Sequence, residues 1–277
     1  MPRLDHPTPV YRLRHRARTV ATEHPRLYLP FARRKYPGPS PNVISDATEL
    51  VIDGYTRSAS TFAVYAFQLA QPRPVRVAHH LHAPAQLIAG VRMGLPVLAL
   101  IRRPRSAVLS QLAREPDVEL ADALYAYRRF HTSLLPWLDG MMVADFDEVT
   151  TDFGAVIRRL NARFGTDFGI YAGDEQAAAE GNALVALRDH LSPVLLGLES
   201  GTVGRGAARV EARRLARLPA AGGAWLPNAD RDRAKDALIS LWNRPELTEP
   251  RRAADEIYLE LRARTGRPAP AVDGSRP

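Results

Sequence analysis

The sequence of 277 residues contains no cysteine. Disulfide bonds, cysteine-ligated zinc, iron–sulfur clusters and thiol nucleophiles are therefore excluded. No hydrophobic run reaches the roughly 18 residues that a membrane-spanning helix requires, and the first residues lack the apolar segment of a secretory signal. We expect a soluble cytoplasmic protein without a membrane span, whose chemistry is carried by side chains other than cysteine.

Lysine is nearly absent as well: Lys35 and Lys235 are the two lysines, so 38 − 2 = 36 of the basic residues are arginine. The formal net charge of +8 suits ligands that bear phosphate or sulfate, nucleic acid, or an anionic membrane surface. The arginines are spread along the chain, however, and the nucleotide composition of the coding gene explains them equally well. We therefore expect no nucleic-acid partner. The sequence makes no prediction about the oligomeric state.

What is present is an ordinary globular composition, with 45% hydrophobic and 25% charged residues. Residues 1–47 are rich in proline, arginine and histidine and are predicted to form an irregular N-terminal arm. Residues 48–265 are predicted to form one domain, and the glycine- and proline-rich residues 266–277 a disordered tail.

Apolar strand patterns alternate with helical patterns along the first part of the domain. This alternation predicts an α/β fold, with a parallel sheet covered by helices on both faces. Beyond about Ala172 the pattern is mainly helical, with breaks at Pro193, at 201–206 and at 219–227. The predicted elements are strand Glu49–Tyr55, helix Ser60–Ala70, strand Val75–Ala78, helix Ala85–Met93, strand Pro96–Ile101, a helix from about Pro104, helix Val118–Leu135, strand Met141–Phe146 and helix Val149–Phe164.

The turn after the first strand, Gly54–Phe62 (GYTRSASTF), has the character of a phosphate-binding turn. A strand, a tight turn of small and hydroxyl residues and then a helix place backbone N–H groups and the positive helix end around one anion. The P-loop motif G-x-x-x-x-G-K-[ST] is only half met, because Ala59 replaces the second glycine and Ser60 the lysine. The cation is instead Arg57, inside the turn. The alternative is an ordinary strand-to-helix turn capped by Ser58 or Ser60.

A second candidate anion site follows the strand that ends at Ile101. Arg102 leaves the carboxyl end of this strand, where open α/β sheets bind ligands, and Ser110 lies two turns into the helix that begins at Pro104. Both side chains are therefore candidates to bind the same phosphate.

At this point the chain resembles the family of sulfotransferases that use 3′-phosphoadenosine 5′-phosphosulfate (PAPS). Arg57–Phe62 resembles the family's 5′-phosphosulfate loop, with an arginine as in its carbohydrate branch, and Arg102–Ser110 resembles its 3′-phosphate motif. His80–Pro84 (HLHAP) is similar to Lys-Thr-His-Leu-Pro, whose histidine is the catalytic base, and Val143–Gly165 resembles an acidic strand end and its helix. The resemblance spans about Leu50 to Phe168.

This resemblance implies that the sulfuryl group of PAPS is moved to a hydroxyl of a carbohydrate, lipid or small-molecule acceptor, leaving the 3′,5′-bisphosphate PAP and needing no metal. Sulfuryl transfer requires cations and N–H dipoles on the sulfonate and the leaving phosphate, and a base for the attacking hydroxyl. The turn containing Ala59 would supply the amides. The expected donor-binding side chains are Arg57, Ser58, Ser60 and Thr61 at the 5′ end, Phe62 on adenine, and Arg102 with Ser110 on the 3′-phosphate.

Among the clustered histidines, His82 takes the place of the family's base and is expected to accept the hydroxyl proton. If the segment is extended, His80 lies on the same side and assists as a donor to the sulfonate, whereas His79 faces away and should be replaceable. Structural histidines or a metal site are the alternatives. Farther along, Arg205 in Gly204–Gly206 resembles the family's C-terminal 3′-phosphate element, with a solvated basic helix face as the alternative.

Three carboxylates lie at the end of the strand predicted over Met141–Phe146, namely Asp145, Asp147 and Glu148. We expect them to cap the strand end, with contact to the acceptor as the alternative. Two other function classes stay open: a P-loop kinase that uses ATP, and a catalytically inactive relative that binds a nucleotide or polyanion.

Overall fold

A computed structural model describes residues 9–36, 43–218 and 229–265. Four parallel strands form one sheet in the order β2-β1-β3-β4. The strands are β1 Leu50–Gly54, β2 Val77–His79, β3 Val97–Ile101 and β4 Met142–Asp145.

A helix follows each strand, and further helices precede β1 and follow α8. The predicted α/β class with a parallel sheet is confirmed. The helices are α1 Pro9–Ala21, α2 Pro25–Lys35, α3 Ser60–Ala70, α4 Pro84–Arg92, α5 Pro104–Leu112, α6 Leu120–Thr132, α7 Phe146–Thr151, α8 Phe153–Phe164, α9 Glu175–Leu187, α10 Pro193–Ser200, α11 Arg205–Leu215, α12 Ala229–Trp242 and α13 Thr248–Ala263.

Both faces of the sheet are buried, because alternate residues of each strand enter different apolar cores. Val51 and Ala99 pack into a core with α4, α5, α6 and α13, whereas Ile52 and Leu100 pack against α3 and α8 on the other face. A third apolar cluster lies among α3, α9, α10 and α11. Strands that are apolar on both faces over most of their length are typical of a sheet covered on both sides.

The prediction of an irregular arm over residues 1–47 is wrong where the structure describes this segment, since α1 and α2 lie there. Tyr28, Leu29 and Ala32 of α2 are part of the core. Both helices begin with a proline, whose fixed φ favours the first turn of a helix. The sequence interpretation gave the high arginine content more weight than this signal. The predicted tail at 266–277 and the predicted break at 219–227 lie outside the described residues.

A single helix over Val149–Phe164 is also wrong, because the chain forms α7 and α8 with a junction at Asp152. The Asp152 carboxylate accepts from the backbone N–H of Ala155 and so begins a new helix. The predicted helix Ser60–Ala70 is confirmed at both ends.

Strand order reverses at β1, since β2 lies on one side of it and β3 on the other. In open α/β sheets the crevice beyond such a reversal, at the carboxyl ends of the strands, is where ligands bind. Gly54 ends β1 at this place, and a Cβ there would lie 2.2 Å from the carbonyl oxygen of Leu100. Glycine is therefore required for β1 and β3 to approach each other beside the crevice.

Candidate active site

A cavity of about 930 Å³ opens at the carboxyl edge of the sheet. Its size falls within the roughly 300–1,000 Å³ of small-molecule and cofactor sites. It gathers residues that follow β1, β2, β3 and β4, together with side chains from α9 and its C-terminal end. The lining residues are Tyr36, Thr56, Arg57, Ala59, Ser60, Thr61, Phe62, His80, His82, Arg102, Ser110, Arg114, Glu115, Phe146, Thr150, Ala178, Asn182, Val185 and Arg188.

The turn between β1 and α3, residues 55–59, has an unusual backbone conformation. Arg57 and Ala59 have φ angles of 70° and 69°, a left-handed conformation that non-glycine residues rarely adopt. Such strain persists where the surrounding structure enforces it, commonly at ligand sites. Ala59 immediately precedes α3, whose first N–H groups have no partners within the helix.

Two serine hydroxyls in this segment are buried without a hydrogen-bond partner in the described structure, those of Ser58 and Ser60. No side chain caps α3, so the alternative of an ordinary turn capped by one of these serines is wrong. A buried hydroxyl without a partner is costly, and an anion accepting from it would remove that cost. Ser60 lines the cavity, whereas Ser58 is fully buried and does not line it.

Two arginines meet at this turn: Arg57 belongs to it, and Arg102 reaches it from the end of β3. The Arg57 Nε donates to Ser110 Oγ at 3.0 Å, and an Arg102 guanidinium nitrogen donates to the Arg57 carbonyl oxygen at 2.9 Å. The Arg102 guanidinium also stacks on the Phe146 ring, 3.9 Å from its centroid. Burial lowers the pKa of Arg102, but a guanidinium remains charged at any physiological pH. Ser110 thus contacts Arg57, and all three side chains line the cavity. Binding of one phosphate by Arg102 and Ser110 together stays a prediction.

Behind the histidines lies a fully buried carboxylate, that of Asp53. Its Oδ2 accepts from the backbone N–H groups of Leu81 and His82 and from the Gln86 side-chain amide, each at 3.1 Å. Its Oδ1 accepts from the Gly54 N–H at 2.9 Å. These bonds compensate the buried charge and hold the histidine segment against the end of β1.

His82 has a left-handed backbone, with φ 51°, and a partly exposed ring that lines the cavity. Its Nδ1 lies 2.9 Å from the Gly54 carbonyl oxygen and 3.3 Å from Asp53 Oδ1. Both oxygens are acceptors, so Nδ1 carries the proton and the lone pair of the neutral ring is on Nε2. Burial lowers the pKa of His82, but the hydrogen bond and negative charge of Asp53 outweigh this and raise it above its usual value.

The neighbouring histidines form one hydrogen-bonded chain with Thr61 and Glu199. His79 Nε2 donates to the Glu199 carbonyl oxygen at 3.1 Å, so its Nδ1 accepts from the Nδ1–H of His80. His80 Nε2 then accepts the Thr61 hydroxyl proton, at 2.9 Å. Burial lowers the pKa of both His79 and His80, which keeps the two rings neutral.

This chain corrects two expectations. The strand ends at His79 and His80 has φ 57°, so the segment is not extended. His79 is fully buried with both ring nitrogens hydrogen-bonded and does not line the cavity, and the expectation that it is replaceable stays a prediction. His80 lines the cavity but has no ring nitrogen left to donate to a sulfonate in this arrangement. The Thr61 hydroxyl donates its proton to His80, so it cannot donate to an anion at the same time. The donor that Thr61 can offer to an anion is then its backbone N–H.

Arg205 is not part of the cavity. It begins α11 and donates to the Leu69 carbonyl oxygen at 3.3 Å, near the end of α3 that lies away from the turn. Its expected contact with the 3′-phosphate is therefore wrong, because α11 approaches α3 at the end opposite the turn between β1 and α3. Phe62 does line the cavity and packs edge-on against Tyr171, with ring centroids 6.2 Å apart.

Two carboxylates at the end of β4, those of Asp145 and Glu148, have a structural role. Asp145 accepts from the Asp147 N–H at 3.0 Å, and Glu148 accepts from the Asp145 N–H at 3.0 Å, which together make a capping box at the start of α7. Asp145 also accepts from the Tyr258 hydroxyl at 2.5 Å. The expectation that these residues cap the strand end is confirmed for Asp145 and Glu148.

His79, His80 and Glu199 also form a group with metal-ligand atoms within 4.8 Å of one another. The Glu199 carboxylate, however, pairs with Arg188 at 2.7 Å, and the histidine nitrogens are used in the chain described above. Hydrogen bonds therefore account for this group as it stands, and the expectation that no metal is needed stays a prediction.

No protein-family model matches the sequence, and no curated protein matches it. Among solved structures, the crystal structure of mouse sulfotransferase SULT7A1 complexed with PAP is similar, with a TM-score of 0.38 and 11% sequence identity. The similarity covers 82% of this chain and 92% of that chain. A likeness at this level does not show what the present chain binds.

Sequence reasoning missed Asp53, the residue that organises the histidine segment. An acidic residue inside an otherwise apolar strand, Leu50–Gly54, is the signal that could have found it, since a buried charge requires partners. Arg188 and Asn182, from α9 and its C-terminal end, carried no motif and reach the cavity through tertiary packing.

Within the described residues, no helix is long and apolar enough to cross a membrane.

Proposed function

We propose that the protein is a PAPS-dependent sulfotransferase, with His82 as the general base. The observation that carries this proposal is that a histidine oriented by a buried carboxylate shares one cavity with an anion-binding turn and two arginines. Sulfuryl transfer needs these two elements together: a base for the hydroxyl and a cradle for the leaving phosphate.

The donor-binding side of the cavity fits a phosphosulfate. The N–H groups at the start of α3, the Ser60 hydroxyl and the Arg57 guanidinium are all hydrogen-bond donors at one side of the cavity. Arg57 would neutralise charge that develops on the bridging oxygen as the sulfur–oxygen bond breaks. Arg102 retains N–H donors beyond the one on the Arg57 carbonyl and would hold a 3′-phosphate, with Ser110 beside it.

The acceptor side follows from the tautomer of His82. Its Nε2 would take the proton of the attacking hydroxyl, while the imidazolium that forms is stabilised by Asp53 through Nδ1–H. The hydroxyl oxygen forms the new bond to sulfur, and the 5′-phosphate of PAP leaves with the electron pair of the broken bond. Phe62 would pack on adenine. The acceptor is a carbohydrate, lipid or small-molecule hydroxyl, and the arginine in the turn is the feature shared with the carbohydrate branch of the family.

The test combines binding with turnover. PAP should bind at least about tenfold more tightly than AMP, because one charge-assisted hydrogen bond contributes roughly 1.5–3 kcal/mol. In calorimetry, Arg102→Ala should lose this preference, whereas Arg103→Ala, an exposed neighbour that does not line the cavity, should keep it. His82→Ala should lose about 10²–10⁴-fold in single-turnover sulfuryl transfer from PAPS and keep PAP affinity.

The other outcomes distinguish the alternatives. Tighter binding of ATP with magnesium than of PAP would favour a P-loop kinase. A preference for PAP without turnover on any hydroxyl acceptor would identify a catalytically inactive nucleotide-binding protein. Equal affinity for PAP and AMP would contradict the proposal.

A further inference from the structure

Helix α1 is packed against the domain with its polar side inward. Arg12 and Arg16 both pair with the buried carboxylate of Asp122 on α6, with nitrogen–oxygen distances of 3.1 and 2.7 Å. No residue of α1 is buried. The apolar side chains of Val10 and Leu13 point away from this contact and are 75% and 71% exposed.

Helix α2 shows a related arrangement on its outer side. Its inner side, with Tyr28 and Leu29, is buried in the core. Leu27 and Phe31 lie on the outer side and are 69% and 62% exposed, although large apolar side chains normally avoid such exposure when clustered.

The same outer sides are strongly basic. Residues 9–36 contain seven arginines and one lysine against a single acidic residue, Glu23, which pairs with Arg129 at 2.5 Å. Arg14, Arg18, Arg26 and Arg34 are exposed. Helices that combine exposed leucine and phenylalanine with arginine are typical of segments that lie in a membrane interface.

We propose that the outer faces of α1 and α2 bind the surface of an anionic phospholipid bilayer. The apolar side chains would enter the boundary between headgroups and acyl chains, and the arginines would contact lipid phosphates. An acidic protein partner would match the arginines but not the separately exposed leucines, phenylalanine and valine. Since α2 ends immediately before Tyr36, which lines the cavity, this surface adjoins the cavity in the fold. The proposal does not depend on the sulfotransferase activity.

Co-sedimentation of the full chain with vesicles tests this proposal. Binding is expected to vesicles of mixed phosphatidylglycerol and phosphatidylcholine, to be much weaker to pure phosphatidylcholine, and to fall as salt is raised to about 1 M, where the screening length is about 3 Å. The double variant Arg14→Gln/Arg18→Gln should weaken binding about fivefold per arginine. Leu13→Ser/Phe31→Ser should weaken it about tenfold or more.

Matched controls are Arg158→Gln and Leu259→Ser, which alter an arginine and a leucine exposed elsewhere on the surface and should leave binding unchanged. Thermal unfolding of each variant checks that it is folded. Equal binding to neutral and anionic vesicles, or wild-type binding by both double variants, would overturn the proposal. So would a wild-type dimer in sedimentation velocity that Leu13→Ser/Phe31→Ser converts to a monomer, since a second copy would then cover these faces.

Discussion

Asp53 Oδ1 and His82 Nδ1 lie 3.3 Å apart, although 29 residues separate them in the sequence. Asp53 sits inside β1 and His82 beyond the end of β2, so parallel pairing of these two strands brings them together. The carboxylate both orients the imidazole and pins the backbone N–H of the same histidine. One buried charge thus fixes the position, the tautomer and the proton affinity of the proposed base.

Asp53→Asn should lower turnover by at least about 10²-fold and shift the pH profile. Asp53 raises the pKa of His82, and the neutral ring is the active form. In the wild type, turnover should therefore rise with pH with a midpoint above 6.5, and in the variant this midpoint should move to lower pH. The measurement is kcat against pH, together with PAP affinity as a check on folding. An unmoved midpoint would show that Asp53 does not act through His82.

Arg57→Ala should lower turnover by about 10²–10³-fold while PAP affinity falls less, because its guanidinium is proposed to act on charge that develops in the transition state. Arg57→Lys should retain part of the activity, since it keeps the charge but not the planar fork that contacts Ser110. Arg103→Ala is the control outside the cavity. The measurement is the single-turnover rate of each variant. Near-normal turnover of Arg57→Ala would show that Arg57 takes no part in the mechanism.

His79→Ala should reduce the free energy of unfolding by about 2–4 kcal/mol, because it opens a buried cavity and removes the partners of the Glu199 carbonyl and the His80 Nδ1–H. His24→Ala, which changes an exposed histidine at the start of α2, should have little effect. Urea denaturation monitors both variants. Wild-type stability of His79→Ala would contradict the hydrogen-bonded chain through His80 to Thr61.

The buried His131 should make the folded protein less stable in acid. Burial lowers its pKa to about 4, while its Nδ1–H donates to the Tyr127 carbonyl oxygen. The unfolded chain therefore binds a proton near pH 6.5 that the folded chain excludes until about pH 4, and stability falls by about 3 kcal/mol between these two values.

The variant His131→Phe should fill the same space without this titration. Its free energy of unfolding should fall less than that of the wild type between pH 6.5 and 4, as measured by urea denaturation at each pH. Parallel curves for the two proteins would show that His131 is not the group responsible.

The sequence by itself determined the elements that local signals encode. The apolar run Leu50–Gly54, the hydroxyl-rich turn after it and the helix Ser60–Ala70 were all predictable, because strand burial, turn chemistry and helix periodicity act over a few residues. The position of the site at the carboxyl edge followed from strand–helix alternation. Arg57, Ser60 and Arg102 were named from their places after strands, and His82 from the resemblance to a family motif. All four line one cavity.

Only the tertiary structure decided how these residues are connected. Parallel pairing of β1 with β2 and β3 brings Asp53 to His82 and Arg102 to Arg57, over separations that no local pattern encodes. Left-handed backbone at His80 and His82 broke the alternation from which the side of each histidine had been inferred, since the period of two holds only for extended chain. Packing of α11 against the far end of α3 likewise removed Arg205 from the site, because a sequence motif carries no information about which end of a helix it will meet.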